Sequence, residues 1–490
     1  MQRTAGNCRP ISRSCNPTQQ CRHLSRSFPA ACHAYLCAVT AIRNVSRQLG
    51  TWTSLGLALL SAAIASASDL PRTRPEDVGI SSERLASIDK FYADKVNNGE
   101  MAGIVLLIAR HGKIAHSSAI GYANTASQQP MRTDTLFRWY SMTKPITAVA
   151  LMMLYEEGRF QLHDPVSKYI PELANLPVVR TPNSSVDDTV PAERGPTVED
   201  LLRHTAGFGL CVGVGGDPVD DLCTKANVYG LDVSLADMMS KLAHIPLRYQ
   251  PGTRWAYSLS PDVEARLVEV LSGMPFDAFL KQHVFQPLGM SSTGYWLSSE
   301  QARRLAAVHW MKNGKPTPWD DVHGHPGETN HQGGYTEPLS EPWASINEVV
   351  GDHKRMGGSF GLVGTAEDYW RFAQMILNDG EFGGVRLLSP QLVHYMTRVH
   401  LGSIESTNPA VIGKGTGFGL GFGVTTDAAA AGFMNSEGSI WWDGALTTIW
   451  WADPKQDLVV VAMTQWLDSG PGLDLLRPQL RALIYGALVN

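Results

Sequence analysis

From residue 70 onward the chain switches between two hydrophobic periods, one helical and one strand-like. In SERLASIDKFYADKVNNGE the apolar residues Leu85, Ile88, Phe91 and Tyr92 recur at helical spacing, and Asn97-Asn98-Gly99 ends the run. AGIVLLIARHGKIAHSSAIGYAN then offers two β-rich runs joined at His111-Gly112-Lys113, a hairpin signal. From Ser141 to Glu157 the residues Ile146, Val149, Ala150, Met153 and Leu154 fall on one helical face, and Gly158 follows as a C′ residue. From about 160 to 400 helical patterns dominate, separated by Pro/Gly-rich loops. Beyond 410 strands return in GFGLGFGV and SIWWDGALTTIWWADPKQDLVVVAMTQW, with a turn at Asp453 to Asp457 and a last helix from about Leu473 to Leu488. There is no internal repeat and no coiled-coil heptad. Strands at both ends with helices between predict an α/β sandwich, its sheet assembled from the two ends of the chain (about 69–140 and 405–490) around a large, mainly helical insertion (about 141–404).

Composition adds limits to this picture. With 490 residues, 43% hydrophobic and 18% charged, the chain can bury a large core. A net charge of −5 and no basic run after residue 70 argue against a nucleic-acid partner. Residues 1–68 stand apart: they lack Asp and Glu, carry Arg3, Arg9, Arg13, Arg22, Arg26, Arg43 and Arg47, and hold the apolar run Leu55 to Ala65 before Ala65-Ser66-Ala67. That order matches a secretory leader ending near Ala67, with export to the periplasm or medium expected and organellar targeting the alternative. The apolar run is short for a membrane span, so no stable span is expected once the leader is removed. After the leader only Cys211 and Cys223 remain, able to pair in an oxidising compartment or to stay free thiols in a reducing one.

The chemistry starts at WYSMTK. A serine hydroxyl is a weak nucleophile without a base, and S-x-x-K puts Ser141 and Lys144 on one helix face, near a positive helix N-terminus. Alone, the pattern also describes a cap residue followed by a solvated lysine. S-x-x-K is elsewhere the first element of a catalytic set whose others are of the S-D-N and K-T-G types, and PGTRWAYSLSPDVEARLVEVLSG places Tyr257 just ahead of a helix.

SMTK, LHDPVSKYIPEL, TVEDLLRHTAGFG, PGTRWAYS, FQPLGM, GLVGTAEDYWRFAQMILNDG and WWDG, in this order, resemble the serine β-lactamase superfamily, class C-like, and within it the family VIII carboxylesterases. The resemblance spans the chain after residue 70. It implies an antiparallel sheet flanked by helices and a serine hydrolase domain over 69–490. By the same resemblance Ser141 is the acylated nucleophile, Lys144 and Tyr257 are its proton-transfer partners, and the backbone N–H groups of Ser141 and Ala445 form the oxyanion hole. Trp442, Gly444 and Leu259 then line the substrate side. No cofactor or metal is needed. The implied activity is a carboxylesterase on short- to medium-chain acyl esters, with a β-lactamase, a D-amino-acid amidase or peptidase, an acyltransferase, or a non-catalytic ligand-binding or structural protein as alternatives.

Departures from the family pattern favour the ester. Relatives that bind a substrate carboxylate usually carry Lys or His where this chain has Trp442, and Asn where it has Leu259. A carboxylate facing two apolar groups would be disfavoured by roughly several kcal/mol. Asp443 replaces a usual Gly, and strand alternation turns it away from Trp442, towards a hydrogen-bonded structural role. The Trp442 motif is expected on an edge strand.

Other patterns read as decoys. Gly357-Gly358-Ser359-Phe360-Gly361 spells G-x-S-x-G but lacks the strand before it, so a flexible loop beside the site is expected. His323, His325 and His331 sit in a Gly-rich loop without metal-ligand spacing. Lys414-Gly415-Thr416-Gly417 carries one residue too many for K-T-G, and His204 reads as structural.

Overall fold

The computed structural model describes residues 70–212, 217–319, 354–467 and 471–489. The expected leader and His323, His325 and His331 lie outside the described residues. One antiparallel sheet holds eight strands: β1 (Gly103–Arg110), β2 (Lys113–Asn124), β3 (Gln129–Pro130), β4 (Thr416–Phe418), β5 (Gly423–Thr425), β6 (Ile440–Gly444), β7 (Thr448–Asp453) and β8 (Leu458–Met463). Their spatial order is β4-β5-β6-β7-β8-β1-β2-β3. The two ends of the chain meet in the middle, where β1 pairs with β8 and Val105 lies opposite Met463.

Alternation along the central strands divides the core into two clusters. Val105, Leu107 and Ala109 of β1 join Trp450, Val459 and Val461 beneath the helical insertion. Ile104, Leu106 and Ile108 join Ile449, Trp451, Val460 and Ala462 on the other face. That second face is covered by α1 (Ser82–Asn97), through Leu85, Ile88 and Tyr92, and by the last helix, Pro471–Ala487, through Leu480 and Ile484. Burial on both faces explains why β1 and β8 read as unbroken apolar runs: each large side chain removed from water contributes about 1.5–3 kcal/mol.

The insertion is organised around α2 (Thr143–Glu156), packed on α3 (Ser260–Ser272). The expected single apolar stripe of this segment is instead a nearly complete apolar cylinder, with Ile146, Ala148, Val149, Ala150, Leu151, Met152 and Leu154 all buried. A helix at the centre of a bundle meets neighbours on every side. On the sheet-facing side of the insertion, α4 (Ala366–Leu377) packs over β7 and β8. The last helix takes the label α5. Cys211 and Cys223 are joined by a disulfide. Among the described residues no helix is long and apolar enough to cross a membrane.

Two expectations about local structure change. The Trp442 motif lies on β6, third from the sheet edge, because the short strands β4 and β5 extend the sheet beyond it. The β4 strand is built from the Thr416-Gly417 part of the K-T-G decoy. Yet β5 meets β6 only at Ile440 and Trp441, so the Trp442–Gly444 half of β6 has no strand partner on that side among the described residues. The G-x-S-x-G loop lies beside the site as expected but is not loose: Ser359 is 2% exposed, its side chain and backbone both hydrogen-bonded.

Candidate active site

Ser141 sits in one 3₁₀ turn, Tyr140–Met142, immediately before α2 rather than in the helix itself. Tyr140 takes a φ of +48°, a left-handed conformation that costs a non-glycine residue about 1–2 kcal/mol. Its ring stacks on Phe360, which helps hold the turn. The α2 backbone then carries Lys144 back under the serine. The Lys144 side chain is nearly buried, and Nζ donates to Ser141 Oγ at 3.3 Å and to the Ser359 carbonyl at 3.0 Å.

Tyr257 arrives from the other side, on the segment between the short strand Arg254–Trp255 and α3. Its hydroxyl donates to Ser141 Oγ at 2.7 Å, and Lys144 Nζ lies 4.6 Å from its ring centre. Residues 116 positions apart thus converge on one oxygen. Around the Tyr257 ring pack His204 at 5.1 Å, Trp442 at 5.4 Å and Trp255 at 6.3 Å. Burial, and then the Lys144 charge, hold His204 well below the ordinary imidazole range, so it is neutral at pH 7. With its Nδ1 3.1 Å from Ser258 Oγ, His204 forms part of the packing beneath Tyr257.

The third element is placed by a close approach. A Cβ on Gly444 would lie 2.3 Å from the Trp139 carbonyl oxygen and 2.1 Å from Thr448 Oγ1, so only glycine lets β6 lie against the serine turn. Ala445, the next residue, is exposed at the strand end, while Trp442 is 4% exposed, wedged between the Tyr257 and Phe418 rings. Leu259 is separated from this group. It is 0% exposed and packs into the main core from the start of α3, its N–H bonded to the Gly209 carbonyl, so it presents no surface to the cleft. Asp443 points away from Trp442, as alternation requires, and forms an ion pair with Arg477 of α5.

Asp262 and Glu264, on the first turns of α3, are site neighbours that the sequence reading missed. Ser359 donates to Asp262 through both N–H and Oγ, and the Tyr229 hydroxyl donates to it at 2.7 Å. Burial raises the Asp262 carboxyl above its ordinary range, opposed by those donors and the Lys144 charge. Glu264 is pushed up to about 8 by burial and by Asp262, with Lys144 opposing, so it is mostly protonated at pH 7. Acidic residues in a first helical turn ordinarily read as dipole partners facing solvent. Here Gly358 approaches so closely that a Cβ would lie 1.9 Å from the Pro261 carbonyl, and the loop closes over Asp262, while Glu264 is 2% exposed. Among the described residues no group of three or more His, Cys, Asp or Glu is arranged to hold a metal ion.

Comparison with known proteins agrees with this architecture. The Beta-lactamase family model matches residues 88–483. Protein Rv1367c of Mycobacterium tuberculosis is 34% identical over 375 residues, covering 75% of this chain and 86% of that one. Esterase EstB of Burkholderia gladioli is 31% identical over 391 residues, covering 79% and 91%. Among solved structures, that described as "EstCE1, a hydrolase with promiscuous acyltransferase activity" superposes with a TM-score of 0.69 at 27% identity, over 82% of this chain and 99% of that one. The helix-start serine beside Lys144 and Tyr257, the glycine-seated strand and the matched length together place the chain in the Beta-lactamase family, as a serine hydrolase.

Proposed function

We propose that the protein is a carboxylesterase for short- to medium-chain acyl esters, with Ser141 as nucleophile. Ser141 Oγ attacks the ester carbonyl, and its proton passes to the Tyr257–Lys144 pair, which must first have given up one proton of its own, because both groups donate to Ser141 Oγ in the resting arrangement. The negative oxygen of the tetrahedral intermediate rests on the N–H groups of Ser141 and Ala445. The C–O bond to the alcohol breaks as the shared proton moves to that oxygen. Water then repeats the sequence on the Ser141 ester, releasing the acid and restoring the serine.

The observation that carries the ester reading is the position of Trp442. Its ring packs on Tyr257, at the motif position where the family resemblance puts a Lys or His for a substrate carboxylate. The likeness to EstB supports the same reading. Hydrolysis of p-nitrophenyl butyrate should exceed that of a chromogenic cephalosporin by at least about 100-fold in kcat/KM, the effect of some 3 kcal/mol of unpaired carboxylate. A preference for the cephalosporin would reverse the assignment. The description of EstCE1 favours a second reading, in which an alcohol replaces water. Addition of a short alcohol, with the transferred ester quantified, tests it.

Export after cleavage near Ala67 is part of the proposal, supported by the acid-free, Arg-rich leader and by the Cys211–Cys223 bond. Intact mass of the protein from its native host checks the cleavage.

A further inference from the structure

We propose that Arg477 of α5 is a positioning residue: through its ion pair with Asp443 and its stacking on Trp441, it holds the oxyanion-side end of β6 and the Trp442 wall against Tyr257. The inference rests on the Ser141 reading above.

Among the described residues the end of β6 has a strand ladder on one side only. β7 pairs with it through Gly444, opposite Thr448, whereas β5 stops at Trp441. Just past that end the Leu446 carbonyl accepts from the Trp466 N–H, and Gly444 rests on Trp139, which leaves the side chain of Asp443 as a further hold on the α5 side. Asp443 provides that hold: its side chain is 9% exposed, faces α5 and pairs with Arg477. Ala445, the proposed oxyanion donor, is two residues further on. An aspartate this enclosed needs a partner, since stripping one member from a mostly buried pair strands the other charge.

The same guanidinium also reaches the aromatic wall. The Arg477 guanidinium carbon lies 5.4 Å from the Trp441 ring centre, and one helical turn later Arg481 lies 4.4 Å from that of Trp451. Trp441 and Trp451 are direct cross-strand partners, so two arginines at i and i+4 cover a paired tryptophan surface. Trp441 stacks on Trp442 at 5.7 Å, Trp442 packs on Tyr257 at 5.4 Å, and Lys144 Nζ lies over Tyr257. A continuous line of contacts therefore runs from α5 to the group that handles the serine proton. Donor placement in an oxyanion hole is sensitive to small displacements, so loosening this line should raise the barrier without weakening ground-state binding.

The test compares R477M, R477K, D443N and D443N/R477M in the full chain, with rates expressed per serine titrated by a phosphonate ester. R477M should lose roughly tenfold or more in kcat with KM within about twofold, and affinity for an aryl boronic acid, a tetrahedral-intermediate mimic, should fall by the same factor. R477K, which keeps the charge beside Asp443, should recover most of the loss, and the double variant should be no worse than R477M. A purely structural role would lower the titratable fraction and leave rate and boronate affinity per site unchanged, which would overturn the proposal, as would a loss confined to KM. If R477M does not fold, D443N, equal in size to the native residue, carries the same readouts. Failure of the phosphonate to mark Ser141 in the unsubstituted protein would instead defeat the site reading, whereas normal labelling with unaffected variants would defeat this inference alone.

Discussion

Tyr257→Phe removes one oxygen from the centre of the site and little else. That oxygen is 2.7 Å from Ser141 Oγ, whereas Lys144 Nζ stands at 3.3 Å and divides its hydrogen bonds with the Ser359 carbonyl. Once it has given up its own proton, the Tyr257 oxygen is therefore the nearer acceptor for the serine proton. Loss of a positioned acid–base group costs about 10²–10⁴ in rate, which corresponds to about 3–5.5 kcal/mol of barrier. The ring would stay, and with it the packing on Trp442 and His204 and the Lys144 contact. Stability should then fall by only about 1 kcal/mol, the net worth of one hydrogen bond. Hydrolysis of p-nitrophenyl butyrate, the rate of phosphonate labelling and the melting temperature together test this: kcat and labelling should collapse in parallel, with KM and Tm nearly unchanged. A kcat within threefold of the unsubstituted protein, or a loss carried wholly by KM, would refute the reasoning and shift the proton to Lys144 alone.

Gly444→Ala should cost about tenfold or more in kcat, because its Cβ would lie 2.3 Å from the Trp139 carbonyl and push β6 off the serine turn; steady-state kinetics on folded protein checks it. Ser141→Ala should abolish phosphonate labelling, whereas Ser359→Ala should leave one labelled serine and lower stability by about 1–3 kcal/mol, since Asp262 loses a buried donor; peptide mapping and denaturant unfolding separate the two. Glu264→Gln should gain stability over the native chain as pH rises. A carboxyl raised from 4.5 to about 8 on folding binds its proton more tightly in the native state, so the native chain loses stability between those values, and glutamine does not. The difference should grow between pH 5 and 8 towards a few kcal/mol, bounded near 5 kcal/mol by the size of the shift, and a pH-independent difference in urea unfolding would contradict it.

Much of the site was legible because its chemistry is local in sequence. Ser141 and Lys144 stand one turn apart in any helical reading, and the order of motifs that follows points to Tyr257, which the structure brings to Ser141, and Gly444, which it seats on Trp139. Alternation alone turned Asp443 away from Trp442. Leu259 does not line the cleft, because a leucine at a helix start gains more by turning into an apolar core. The sequence places the Ser359 loop beside the site but not its rigidity, and it gives no sign of Asp262 or Glu264, since acidic residues in the first turns of a helix look solvated until the fold buries them, Asp262 beneath a loop nearly a hundred residues away.

The sequence by itself determined the elements and the reactive groups, because hydrophobic period and S-x-x-K spacing act over a few residues. Only the tertiary structure decided which groups meet. Convergence of Tyr257 on Ser141, the seat of Gly444 on Trp139, the closing of the Ser359 loop over Asp262 and the grip of Arg477 on Asp443 all join segments distant in the chain. Such contacts depend on close packing and on the cost of leaving a buried polar group unpaired, which act on the folded whole and leave no periodic trace along the chain.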